Sequence, residues 1–159
     1  MSIYFHKPVH LFGSSLSGGE RERFNEIRKE IDIFYSNSGG EIVFDNFVKT
    51  LELIERTKSH LGLKKSSNVF EEIVFYLRMK LLSTDPYVVR STYTLLDYLV
   101  KNGGPLVHNA INNVRVMKTI TTIARVNYFN DHGKGSKMVA DCALDFIQGF
   151  LLSRNNKIY

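Results

Sequence analysis

The chain has one cysteine, three prolines and no tryptophan among its 159 residues. The lone Cys142 excludes an internal disulfide, so no covalent staple holds the fold. It sits in an apolar helical pattern and reads as a small buried hydrophobe rather than a reactive thiol. Such cysteine usage fits a reducing compartment. Long hydrophobic runs are missing as well. No stretch approaches the roughly 20 apolar residues that span a bilayer. The start, MSIYFHKPVHLFGSS, is no secretory signal, because His6, Lys7 and Pro8 interrupt its apolar residues. A cytoplasmic or peripheral location is the expectation.

Chemistry-bearing motifs are also scarce. The five histidines are scattered, with no H-E-x-x-H and no C-x-x-C, so no metal site is expected. No G-x-S-x-G nucleophile motif occurs. Asp97, Asp141 and Asp145 fall on helices, and their spacing defines no general acid/base pair. The run LSGGERER from Leu16 to Arg23 looks like the signature of ABC-type ATPases. Such an enzyme needs a phosphate-cradling G-x-x-x-x-G-K-[ST] loop, and the chain has none. Gly133-Lys134-Gly135 reads as a turn before a helix rather than a phosphate loop. The reading is a binding module, not an enzyme, with no cofactor.

Apolar residues are ample. Hydrophobic content of 43% excludes a disordered chain and supports one domain of this length. Formal net charge is +5 and the pI about 9.3. That favours acidic partners such as an anionic membrane face. The cations are dispersed, so most form an ordinary solvated surface, and nucleic acid is not expected.

Residues 1–19 read as an apolar arm, with Pro8 and Gly13 preventing a long helix. Residues 20–154 form the domain and 155–159 a short tail. Ser17 and Glu20 match a capping box that opens a helix to about Tyr35, with Phe24, Ile27, Ile31 and Phe34 on one stripe. Asn37-Ser-Gly-Gly40 stops it. A second helix covers 42–60, with Phe44, Phe47, Val48, Leu51 and Ile54 inward. Residues 56–67, RTKSHLGLKKSS, form a polar, basic connector. Asn68 and Glu71 repeat the capping-box pattern before a helix over 69–82, apolar on nearly every side and so central in a stack.

Thr84-Asp85-Pro86 starts the next helix with a polar cap and a proline in the first turn. Its buried stripe is Val88, Thr92, Leu95, Leu96 and Leu99. Lys101-Asn-Gly-Gly-Pro105 ends it. Helices follow over 106–111, 113–127 and 136–152. The last two turn Val116, Met117, Ile120 and Ile123, then Val139, Ala143, Phe146, Ile147 and Phe150, inward. The stretch from Ser83 to Val126 has the clearest start and stop signals and reads as scaffold. Seven or eight helices, no strand and short connections describe an all-α stack in which each helix packs on its predecessor.

TLLDYLVKNG from Thr94, NVRVMKTI from Asn113 and YFNDHGK from Tyr128 stand in an order and spacing that resemble the ENTH domain of the epsin family. The resemblance covers about residues 68–150. The sister VHS domain is similar too, through Val100-Lys-Asn-Gly103 followed by His108. The domain that reads the RNA polymerase tail shares the same LLD…VKN pattern. All three resemblances imply a right-handed superhelix.

The ENTH resemblance implies a membrane-trafficking adaptor in clathrin-linked vesicle transport or endocytosis. It would be peripheral on endosomal, Golgi or plasma membrane through a phosphoinositide headgroup. Residue by residue, the family's headgroup positions map to Asp32, Asn37 and Lys80, with Val88 and Ser91 at two further positions and Arg90 beside them as a substitute. The usual headgroup site is thus only partly retained, and Lys64 and Lys65 of the connector add cations. The VHS resemblance implies a ubiquitin or sorting-signal module, with Phe47 and Leu51 at the spacing of that family's aromatic and aliphatic contact pair. Core packing is the competing role for both. The third implies a nuclear peptide reader.

Overall fold

The computed structural model describes residues 16–38, 44–129 and 134–157. Every regular element among the described residues is α-helix. We number them α1 (Gly18–Ser38), α2 (Phe44–Leu81), α3 (Pro86–Asn102), α4 (Pro105–Ile111), α5 (Val114–Phe129) and α6 (Lys134–Lys157). None is long and apolar enough to cross a membrane. Most of the arm, including Phe5 and Phe12, lies outside the described residues.

α1 starts where the capping box placed it. The Glu20 carboxylate accepts from the Ser17 backbone N–H (3.2 Å) and from the Ser17 hydroxyl. The helix runs past Tyr35 to Ser38, so Asn37 belongs to its last turn rather than to a following loop. Phe24, Ile27, Ile31 and Phe34 are all buried, which fixes the face that meets α2.

The basic connector expected over 56–67 is not a loop. Helix continues through it on both sides of one residue, Gly62, at φ 79° and ψ 178°. The run holds one breaker among good helix formers, and polar side chains on a solvated face do not stop a helix. Ser66 and Thr57 are fully buried, and the Ser66 hydroxyl donates to the Thr57 carbonyl at 3.1 Å. In a straight helix nine residues would separate the two by about 13 Å along the axis. The two arms of α2 therefore fold toward each other at Gly62. Asn68 is consequently not an N-cap. It lies inside the second arm, and its side-chain amide donates to Glu20 of α1 at 2.9 Å.

The second arm of α2 carries the centre of the core. Val69, Phe70, Ile73, Val74, Leu77 and Leu81 are buried, and α2 packs on α1, α3, α4 and α5. Leu82 falls just past the helix and is exposed. The Asp85 carboxylate caps α3 by accepting from the Tyr87 backbone N–H at 2.9 Å, with Pro86 in the first turn. On α3 it is Val89, not Val88, that is fully buried beside Thr92, Leu95, Leu96 and Leu99.

Two glycines then divide the work of the next turn. Gly104 takes positive φ (84°), while Gly103 keeps φ −81° but sits so tightly that a Cβ would lie 2.7 Å from the Leu99 carbonyl oxygen. α6 closes the fold against α3 and α5 through Val139, Ala143, Phe146 and Phe150. His108 stacks on Phe150 with ring centroids 4.7 Å apart.

Candidate functional site

The corner at Gly62 is the most distinctive surface feature. Its inner side is clamped. Arg23 of α1 donates to Nδ1 of His60 at 3.0 Å. The Lys58 ammonium donates to the Glu55 carboxylate and to the Gly103 carbonyl, each at 2.8 Å, tying the first arm of α2 to the turn after α3. Asn68 and Lys65 both act on Glu20. Its carboxyl is held below the usual carboxylate range first by the Ser17 hydroxyl, then by the Asn68 amide, with the Lys65 charge contributing.

The outer side of the corner is open. Leu63 is 75% exposed, one of the two most exposed large apolar side chains in the described structure. Lys64 and Lys65 follow it, both exposed, and Arg56 is exposed on the first arm. An exposed apolar side chain and two exposed lysines thus follow one another directly after a braced corner, with Lys64 next to Leu63 and Lys65 turned toward Glu20. Sequence reasoning does not single out Leu63. The signal available for it is its place between a helix-breaking glycine and two lysines.

The other candidates are distributed elsewhere. Lys80 lies at the far end of the second arm, about 24 Å along the helix from Lys64. Its ammonium sits over the faces of Tyr35 and Tyr76, 5.0 and 5.4 Å from the ring centroids. Beside it the Asp32 carboxylate accepts from the Tyr76 hydroxyl and pairs with Arg28 at 2.8 Å. Burial, then the bond to Asp32, pushes the Tyr76 hydroxyl up to about 12. The fold therefore does bring Asp32 and Lys80 into one cluster, but a phosphate there would meet a carboxylate and a cation already occupied by aromatic faces. The side chain of Asn37 lies outside what the structure describes.

Arg90 faces another direction. Thr92 of α3 meets Tyr35 of α1, whereas Arg90 lines a groove against α6 with Cys142 and Asp145. Two positions apart on a helix are about 200° apart around its axis. Lys64 and Lys65 at the corner, Lys80 in its tyrosine cluster and Arg90 in its groove are three separate places. No single headgroup reaches all of them.

Phe47 is 4% exposed and packs between Phe34, in a tilted contact at 5.2 Å, and Tyr98, on which it stacks at 4.7 Å. It is committed to the core, and Leu51 is half-buried beside it on the helix. Among the described residues no three His, Cys, Asp or Glu side chains gather closely enough to hold a metal ion. Cys142 is half-buried, and burial above all pushes its thiol up.

Comparison with family models, with curated proteins and with solved structures finds no match for this chain.

Proposed function

We propose that this chain is a peripheral membrane-binding adaptor module of vesicle traffic, of ENTH or VHS type. In this reading its helices wind as a right-handed superhelix, with the two arms of α2 counted as separate helices. It touches an anionic, phosphoinositide-bearing bilayer through the Gly62 corner. The observation that carries the reading is the exposed triplet Leu63-Lys64-Lys65 on a braced turn. A protruding leucine enters the interface while each flanking lysine contributes about 1 kcal/mol near an anionic surface. The first turn of α1 lies against the corner through Asn68–Glu20 and through Gly19, where a Cβ would be 3.6 Å from Leu61, and so helps to brace it.

Charge alone does not single out this corner, because the net charge is modest and dispersed. What supports it is the pairing of charge with an exposed apolar residue on a braced turn, a pairing that exposed Val114 beside Arg115 also makes at the start of α5 but without the brace of the corner. The family's usual headgroup cluster around Lys80 supports the reading less, since Asp32 opposes an anion there. Of the residue pair suggested for ubiquitin, Phe47 is unavailable, and that alternative gains nothing from the geometry.

Co-sedimentation with phosphatidylcholine vesicles carrying single phosphoinositides, at low and physiological salt, tests the proposal. Binding is expected to weaken several-fold on Lys64→Glu and to fall again with Lys65→Glu. Leu63→Ser should lower the part of binding that survives physiological salt, because apolar insertion is not screened. Binding that is unchanged in all three variants would refute the corner as the contact.

A further inference from the structure

The outer face of α5 is cationic and free of acidic residues. Arg115, Lys118 and Arg125 are exposed on it, flanked by Val114 (82% exposed) and Val126 (44%). At about 100° per residue these five positions fall within an arc of about 120°. No Asp or Glu occurs between Asp97 and Asp131 in the sequence. Among the described residues none of the three cations has a carboxylate partner. The fold adds a fourth cation at the seam with α2. Arg78 is half-buried, and its Nε donates to the Thr119 hydroxyl at 2.8 Å. That hydroxyl in turn donates to the Arg115 carbonyl at 2.9 Å. Arg78 is thus held against the first turns of α5, and it too has no carboxylate partner among the described residues.

The acids of the adjoining helices stand away from this face. Asp141 and Asp145 line the groove beside Arg90 of α3. Glu71 and Glu72 precede Arg78 on α2 by about 10 Å along the helix. Cations with nothing to neutralise them raise the local potential and select a polyanionic partner. The shape of the face narrows the choice. Arg115 and Arg125 are about 15 Å apart along the convex side of a helix. A convex ridge cannot enclose one headgroup, so it reads the density of surface charge rather than a lipid species. Single-stranded nucleic acid is bound on aromatic stacking platforms. None of the exposed residues from Val114 to Val126 is aromatic. A phosphate backbone also leaves the two exposed valines without a role. The boundary of a bilayer accepts apolar side chains, and the stems of Lys and Arg lie along it with their charges at the headgroups.

We propose that the outer face of α5 is a second bilayer contact, which lies along an anionic membrane and reads its bulk charge. Arg115, Lys118 and Arg125 meet the headgroups, and Val114 and Val126 flank them at the boundary. The proposal rests on the bilayer reading above and gives it a contact on residues of its own. Leu63 at the corner supplies attachment that salt does not screen, whereas the α5 face supplies attraction that salt does screen. Each exposed cation near an anionic surface is worth about fivefold in affinity. The α5 face therefore sets the response to phosphatidylserine content and needs no phosphoinositide.

Co-sedimentation at low salt with phosphatidylcholine vesicles carrying graded phosphatidylserine and no phosphoinositide tests this. Binding of the parent protein is expected to rise with phosphatidylserine content. Lys118→Glu and Arg125→Glu should each weaken it about five- to thirtyfold. Both side chains are exposed, so the helical spectrum and melting temperature should hold. An environment-sensitive fluorophore on Val114→Cys, in a Cys142→Ala background, should shift to the blue on these vesicles and not on pure phosphatidylcholine. A parent protein that binds no vesicle, with or without phosphoinositide, would overturn the bilayer reading and this proposal together. Binding to phosphoinositide vesicles but not to phosphatidylserine would overturn this proposal alone. So would phosphatidylserine binding that the double reversal Lys118→Glu/Arg125→Glu leaves unchanged, or a fluorophore that does not shift. RNA binding at physiological salt that the double reversal abolishes, with vesicle binding intact, would also overturn it and would assign the face to nucleic acid.

Discussion

The corner in α2 rests on one backbone conformation, so it is open to a clean perturbation. Gly62 sits at φ 79° and ψ 178°, and a Cβ placed there meets no atom within 4 Å. Gly62→Ala therefore introduces no clash. It introduces only dihedral strain, because that region belongs to glycine. Such strain costs about 1–3 kcal/mol. Reduced freedom of the unfolded chain offsets about 0.4–1 kcal/mol of it. The expected net loss is about 1–2 kcal/mol, or about 2–8 °C in melting temperature for a chain of this size. Urea unfolding followed by far-UV circular dichroism reads it as a lower midpoint. A semisynthetic protein with D-alanine at position 62 supplies the control. The mirror image of the Gly62 conformation is ordinary extended backbone, which an L-residue adopts freely, so the D-residue is expected to recover most of the loss. An L-alanine variant as stable as glycine would refute the strain argument. A D-alanine variant as unstable as the L-form would show the cost to be steric.

Gly103→Ala is the complementary case. Its φ of −81° carries no strain, but the new Cβ would lie 2.7 Å from the Leu99 carbonyl and 2.9 Å from Val107. Overpacking of this kind should lower stability by about 1–3 kcal/mol in thermal melts. Glu20→Gln should destabilise at neutral pH, and the deficit should shrink on acidification. The folded carboxyl is held below its unfolded value, so its stabilisation is present above roughly pH 4.3 and is lost as pH falls through the folded value. Urea midpoints of both proteins measured from pH 6 to 3 check this, and a constant gap would contradict it. Phe150→Ala removes a ring that is 1% exposed and stacks on His108 and Phe146, so a loss of about 3–5 kcal/mol is expected in urea melts.

Local signals along the chain were legible wherever neighbours in sequence were also partners in space. Glu20 reaches back to the Ser17 N–H as one half of the box, and Asp85 caps α3 just ahead of its buried stripe. The stripe of α1 and, except for half-buried Ile147, that of α6 are buried as their spacing implied, and the helix read as apolar on nearly every side carries much of the core although Leu82 is exposed. The errors came where sequence proximity misled. The connector at 56–67 looked like a loop because it is polar. Polarity marks exposure, and a helix can be exposed along one side. Asn68 looked like a cap because Glu71 follows three residues later, yet its amide reaches a carboxylate 48 residues upstream. The candidate site suffered most, since Lys64, Lys80 and Arg90 are all basic and all exposed or half-buried, and composition cannot say which of them share a surface.

By itself the sequence determined the helical character of the described residues, the caps at Ser17 and Asp85, the break at Gly103-Gly104, and most of the apolar stripes that had to be buried. Those follow from backbone propensity and periodicity, which act over one or two turns. Only the tertiary structure decided that α2 doubles back at Gly62, that Leu63 is thereby left exposed just ahead of two lysines, and that Tyr93 is buried where α3 meets α6. These depend on contacts between residues tens of positions apart. Ser66 finds Thr57 and Lys58 finds Gly103 only once the helices have packed.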